Sequence, residues 1–425
     1  MATTTRDRIL TLDTVRGVAV MGILLLNIIA FAMPPAAYMN PRAYGGSEDL
    51  DLAVWLGNFI LFDGKMRGLF SFLFGASTLL VIEGATAKGE SAAGVHYARM
   101  VWLLVFGLLH CWLIWWGDIL NHYALIGMLA FFFRNTSVKR LIGFGIVFLV
   151  LQFLVALLMF MTLEFGRAGL ASPDAQTARD AREMLTGFKH TFGVPSEAVL
   201  TKDVAAHSGS WLEIARERFK TAAMAPLGSL FIFGFETLAY MLFGMAAFRS
   251  GLLTGAWERR RYLRWAVIGF AIGIPAYAAL AALIIGSDFS MSSVMLGVIV
   301  LTIPVRPLMI LAWASLIILL MRPGGALTTR IAAAGRMAFT NYLVTSLVCT
   351  TVFYGYGLGW YGELSRAEVY LVVFAVWAGM LLWSKPWLER FAYGPLEWLW
   401  RSLARGSIQP LAGGALSRTV ANATQ

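Results

Sequence analysis

Charged side chains are scarce in this sequence, at 14% of 425 residues, and five histidines and two cysteines are all it carries of either type. An ordinary soluble domain holds roughly 25% charged residues, so a free-standing globular chain is excluded. Cys111 and Cys349 both sit in apolar runs. They form no disulfide framework and read as small buried hydrophobes. The histidines are scattered, with no H-x-x-x-H pair and no Cys/His cluster, so no metal is expected. The glycine-rich pieces GRAGL (166–170) and RPGGAL (322–327) lack the preceding strand that a phosphate loop needs.

What the chain has instead is apolar length. Hydrophobic residues make up 59% of it, the mean hydropathy is +0.70, and several runs exceed the ~18 residues that span a bilayer as helix. The expected fold is all-α, a polytopic membrane helix bundle. The net charge of +10 does not form a patch for nucleic acid. Its basic residues collect in short segments between apolar runs, at Lys139 and Arg140, Arg259 to Arg261, Arg322, Arg330 and Lys385 to Arg405. That is the loop signature of the cytoplasmic side. Helices are predicted at about 12–33, 52–86 with a break at Gly64, 99–117, a short one ending at Arg134, 138–162, 223–248, 265–285, 289–321, 329–354 and 367–384. Pro304 and Pro307 interrupt 289–321 around Arg306. Counted once, this run gives about ten crossings with both termini cytoplasmic; counted twice it gives eleven and an external basic tail. The whole chain, 1–425, reads as one transmembrane domain. Residues 163–222 form a polar insertion whose fragment WLEIARERFKTAA has amphipathic spacing.

Polar residues inside these runs are the candidates for function, because such groups must find partners or lose charge in lipid. His110 lies roughly 16 Å along a helix axis from Arg99, near the middle of a layer about 30 Å thick. Asp118 follows eight residues later, an offset of about 80° in a continuous helix, so a shared cavity is expected rather than a direct bond. His122 reaches Asp118 only if the helix runs through the turn. In the first helix, Arg16 and Asn27 return to nearly one helical angle, and Asp13 lies within about 60° of Arg16. That places Asp13, Arg16, Asn27, His110 and Asp118 around one cavity; the alternative is an ion pair at the membrane edge and a helix-bridging amide. Lys65 and Arg67 at the mouth of the second spanning helix read either as interfacial snorkelling or as a clamp for an anion. Glu236, one turn before Tyr240, and Arg306 are candidate counter-ions.

The strings LDTVRGVAVMGILLLNI (12–28), GKMRGLFSFLFG (64–75), GLLHCWLIWWGDILNHYALIG (107–127) and GRMAFTNYL (335–343) resemble the YeiB family of bacterial inner-membrane proteins, domain of unknown function family 418. The pieces FYGYGLGWYGELSR and GPLEWLWR between 353 and 401 look like its C-terminal signature. The opening of the first helix and the 335–342 helix are more distantly similar to the transmembrane acyltransferase group that includes heparan-α-glucosaminide N-acetyltransferase. That similarity implies transfer of an acyl group from cytoplasmic acyl-CoA or acetyl-CoA to an acceptor. In the lysosomal enzyme a histidine just after helix 1 works beside an asparagine. Asn27 matches the asparagine, but Pro34 to Trp55 holds no histidine, which leaves the base to His110.

On the enzyme reading, His110 removes the acceptor's proton, Asp118 or Asp13 orients it, Arg16 belongs to the same catalytic group, and Asn27 donates to the thioester carbonyl. Lys65, Arg67 and Arg336 hold the donor's phosphates, and Glu236, Asn341 and Tyr123 face the acceptor. A transporter or channel would use the same residues as a pathway, with the Pro304–Pro307 segment as its discontinuous helix; a scaffold would use them only to bridge helices. Expected partners are the bilayer, a small-molecule or lipid substrate, and a second copy in a homodimer, with no nucleic acid. The expected location is the bacterial inner membrane.

Overall fold

A computed structural model describes residues 5–412. The described chain is helical: α1 (Thr5–Ala32), α2 (Ala36–Met39), α3 (Asp49–Leu61), α4 (Lys65–Ala87), α5 (Ala92–Leu113), α6 (Leu120–Ala130), α7 (Val138–Gly169), α8 (Ala175–Phe192), α9 (Glu197–Ala205), α10 (Trp211–Ala222), α11 (Ala225–Arg249), α12 (Arg259–Gly286), α13 (Met291–Val294, continued by a π-helical 295–300), α14 (Arg306–Leu320), α15 (Ala326–Arg336), α16 (Ala338–Phe353), α17 (Val369–Arg390) and α18 (Pro395–Arg405). Among the described residues seven segments are long and apolar enough to cross a membrane, with α3 and α4 counted together. The shorter apolar helices α6, α13 with α14, and α16 make three further passes between the same two ends, giving ten.

Side-chain bonds sort the loops into those ends. At one, Arg249 donates to the Arg134 and Thr136 carbonyls, Arg259 to Leu319, Arg336 to Ala392 and Trp400 to Arg99. At the other, Asn40 bonds the carbonyls of Phe192 and Phe289, Arg366 those of Ala37 and Tyr44, and the Gly355 amide that of His207. Every basic loop named above falls at the first end, which the loop-charge rule makes cytoplasmic. The run 289–321 goes in as α13 and its π turn and comes out as α14, one pass from two half-helices.

Polar punctuation sets the helix starts. Ser91 caps α5, Asp174 caps α8, and Ser210 with Glu213 forms a capping box on α10. Within the bundle, α4 and α11 cross with backbones almost touching: a Cβ on Gly244 would lie 1.9 Å from the Phe72 carbonyl oxygen, and one on Gly75 2.0 Å from that of Met241. Small residues allow this close approach, the usual way helices adhere where lipid supplies no hydrophobic drive. The segment 163–222 lies over the external end, with Ala178, Ala181, Leu185, Phe192 and Ile214 buried.

Candidate functional site

The helix that carries His110 begins at Ala92 and stops at Leu113, earlier at both ends than its sequence suggests. His110 therefore stands in the last turn, near the external end, and not at mid-membrane. The chain then folds back through Ile114–Ile119 into α6. This reversal closes the gap that a continuous helix would leave: His110 Nδ1 lies 2.7 Å from Asp118 Oδ1, so the two bond directly where the spacing argued against it. The other carboxylate oxygen accepts from the Asn121 backbone N–H at 2.8 Å and its side-chain amide at 2.6 Å. Asp118 thus caps the first turn of α6 while it holds the imidazole. The close packing depends on Gly107, where a Cβ would lie 2.2 Å from Asn121 N.

Both side chains are buried, His110 at 1% exposure and Asp118 at 0%. Tyr342 and Trp115 wall the imidazole, with ring centroids 5.4 and 6.3 Å away. His110 Nε2, Trp115 Nε1 and Asn121 Oδ1 have no hydrogen-bond partner among the described residues. Buried polar atoms are almost always paired, so this imidazole nitrogen, with its neighbour Nδ1 anchored, is open to a hydrogen bond or a proton from a further group. Asn27 lies on the face of α1 that looks this way. Val20, two turns before it, packs in one cluster with Tyr342, and Phe31, one turn after, stacks on Trp115 at 3.9 Å.

The other candidates lie elsewhere. Asp13 pairs with Arg16 at 3.0 Å, and Arg16 also donates to Ser77 on α4 at 2.9 Å. Fourteen residues, about 21 Å of helix, separate Asp13 from Asn27, so the polar residues of α1 serve two places and not one cavity. Lys65 and Arg67 do not reach out as a clamp. Lys65 Nζ donates to the Phe59 carbonyl at 2.6 Å and lies 3.1 Å from the Tyr277 ring centre, fully buried. Arg67 pairs with Glu236 at 2.5 Å. Arg306 bonds the second Glu236 oxygen, which also accepts from Tyr240 at 2.8 Å. The counter-ion expected for Glu236 is present, joined by a second one that the sequence did not suggest.

Tyr123 bonds Ser71 and the Arg67 carbonyl. Asn341 is saturated by Ala334, Ser384 and Trp383. Arg336 is exposed at the cytoplasmic end. His122 is held by Ser229 and Thr237 and does not approach Asp118. Cys111 and Cys349 are free and buried. Among the described residues no three His, Cys, Asp or Glu side chains gather as a metal would require.

Sequence reasoning missed Asn121, Trp115, Tyr342 and Gly107 as parts of the His110 site. For Asn121 a signal existed, since an aspartate after glycine and three residues before an amide is a helix-start pattern.

Comparison with known proteins finds relatives over nearly the full length. The model of the family described as a protein of unknown function (DUF418) matches residues 247–407. YeiB of Escherichia coli (strain K12), described as uncharacterized, is 34% identical over 421 residues, 97% of this chain and 99% of its own. YxaH of Bacillus subtilis (strain 168), likewise uncharacterized, is 32% identical over 435 residues, 96% of this chain and 97% of its own. No solved structure matches. The distribution of identity over whole chains, and not over one motif, makes this protein a member of the YeiB (DUF418) family.

Proposed function

We propose that this protein is an acyltransferase of the bacterial inner membrane that moves an acyl group from cytoplasmic acyl-CoA to a small-molecule or lipid acceptor. The observation that carries the reading is the His110–Asp118 pair: a buried imidazole fixed through Nδ1, with Nε2 unpaired. In the step envisaged, Nε2 takes the proton of an acceptor hydroxyl or amine. The freed lone pair attacks the thioester carbonyl, the C–S bond breaks, and the thiolate leaves and is protonated. Asp118 stabilises the imidazolium, and Asn27, on the same side of α1, donates to the carbonyl oxygen as charge builds there.

The test is acyl-CoA turnover by purified protein, followed as free thiol. His110→Ala should lower it about 10²–10⁴-fold while the protein keeps its monodisperse profile in detergent. Wild-type protein that neither binds nor slowly hydrolyses acyl-CoA would end the reading.

A second reading, transport of a small or amphipathic molecule, has its own support. Two helices break where charges meet: α3–α4 at Gly64 (φ +68°) and α13–α14 at 301–305 after a π-helical turn. A Cβ on Gly64 would lie 2.3 Å from Arg306 Nε. Discontinuous helices of this kind line midplane sites in transporters. Flux into vesicles that needs Arg306 but neither His110 nor acyl-CoA would favour it.

A further inference from the structure

Four cations converge on one cleft at the cytoplasmic end. Arg99 from α5, Arg401 and Arg405 from α18, and Lys88 just after α4 line a space of about 480 Å³ against a single carboxylate, Glu90. None of the four makes an ion pair among the described residues, whereas Glu236 inside the bundle is paired twice over. Aromatic planes support two of the guanidinium groups: Arg99 lies 4.2 Å from the Trp400 ring centre and Arg401 4.4 Å from that of Tyr393. Stacking leaves the edges of those groups, where their N–H donors lie, free to bond in plane. One wall is the first turn of α5 at Gly94 and Val95, whose helix dipole favours an anion. The other is apolar, formed by Leu80, Val81, Ala85 and Ala404.

A solvated basic loop accounts for Lys139 and Arg140, which are exposed and line nothing in this cleft. It does not account for cations from three separate helical segments turned onto one concavity. The amphipathic α18 is anchored for this purpose by Glu397, which accepts from the Phe339 and Thr340 amides at 2.8 and 3.0 Å. Trp400 bonds the Arg99 carbonyl at 2.9 Å and ties α18 directly to α5.

We infer that this cleft is a recognition site for a phosphate ester attached to an apolar or extended chain, with Arg99, Arg401, Arg405 and Lys88 on the phosphate and the Leu80–Ala85 face along the chain. Forked guanidinium donors match phosphate oxygens bidentately, which a lone ammonium cannot do. Two sources carry this chemistry, the headgroup of an anionic phospholipid of the inner leaflet and the diphosphate of coenzyme A. The inference does not depend on His110 acting as a base, and a failure of the turnover test leaves it standing.

The experiment is native mass spectrometry of the full-length protein released from detergent, with dioleoyl phosphatidylglycerol, dioleoyl phosphatidylcholine and coenzyme A added separately and then in competition. Retention of phosphatidylglycerol over phosphatidylcholine, unaffected by coenzyme A, identifies a lipid headgroup site. Binding of coenzyme A that displaces phosphatidylglycerol identifies the nucleotide. In either case Arg401→Gln should weaken binding about tenfold or more, the usual effect of losing a bond to a charged group. The exposed Lys88→Gln should weaken it less, and Lys139→Gln not at all. Equal retention of both lipids with no coenzyme A bound, or binding unchanged in Arg401→Gln and Lys88→Gln alike, would overturn the assignment.

Discussion

The His110–Asp118 pair and the Glu236 cluster are both buried polar groups in an apolar bundle, yet they leave very different things unused. Glu236 spends both oxygens on Arg67, Arg306 and Tyr240, and its own backbone N–H bonds Gln152 at 3.1 Å. It ties α4, α11 and α14 together at the level where two helices break. The histidine site is anchored just as firmly through Asp118 but keeps one imidazole nitrogen, one indole N–H and one amide oxygen without partners, whereas the Glu236 cluster leaves only Arg306 Nε, a guanidinium donor that cannot accept a proton. A carboxylate shared between two guanidinium groups stabilises a fold, and an imidazole anchored through one nitrogen can exchange a proton at the other. The difference separates architecture from candidate chemistry better than burial does, since both sites are buried.

The comparison is sharpest when each cluster is broken alone. If His110 and Asp118 act as one unit, His110→Ala, Asp118→Asn and the double variant should each lose about 10²–10⁴ in turnover, with the double no worse than the poorer single. Multiplying losses, measured as thiol release, would show two independent roles. Glu236→Gln should leave two guanidinium groups without their counter-ion and destabilise the protein by about 3–5 kcal/mol. Thermal unfolding in detergent reads this directly, and an unchanged midpoint would refute the clasp. Gly107→Ala pushes α5 off the α6 start, where a Cβ would lie 2.2 Å from Asn121 N. It should cost about 1–3 kcal/mol and lower turnover, whereas Gly143→Ala, whose Cβ meets nothing within 4 Å, should do neither.

The smallest effect belongs to the external layer, outside both clusters. Burial holds the His207 imidazole down to about 4, against the bond its ring makes with the Asp203 carbonyl. Its ring stacks on Tyr361 at 4.1 Å. Because the folded form prefers neutral His207, its contribution is full above the unfolded value of about 6.5 and is lost as pH falls toward 4. Hydrogen exchange at residues 203–210 should quicken over that window by an amount on the order of 1 kcal/mol. His207→Phe should reduce the pH dependence while keeping the stacking, leaving the part that belongs to the His190–Asp203 pair at 3.3 Å.

Much of the fold was legible because lipid imposes simple rules. Apolar length, the sidedness of arginine and lysine, the break at Gly64 and the prolines around Arg306 each follow from what a backbone can do without water. The sites were harder to read. His110 and Asp118 were visible as residues but not as a bonded pair, since an offset of about 80° holds only while one helix continues. Lys65 and Arg67 looked like surface cations at a helix mouth, yet the chain turns both inward.

By itself, then, the sequence determined that this chain is a helical membrane bundle of ten or eleven passes, which end is basic, and which few polar residues must be accommodated inside. Local composition and spacing suffice for that, because hydrophobic thickness and loop charge act segment by segment. Only the tertiary structure decided which of those residues meet. It gave Glu236 two arginines, turned α6 back so that Asp118 reaches His110, and gathered Arg99, Arg401, Arg405 and Lys88 from distant parts of the chain around one cleft. Such pairings depend on where a helix stops and which face it presents to a neighbour, and packing between segments sets both.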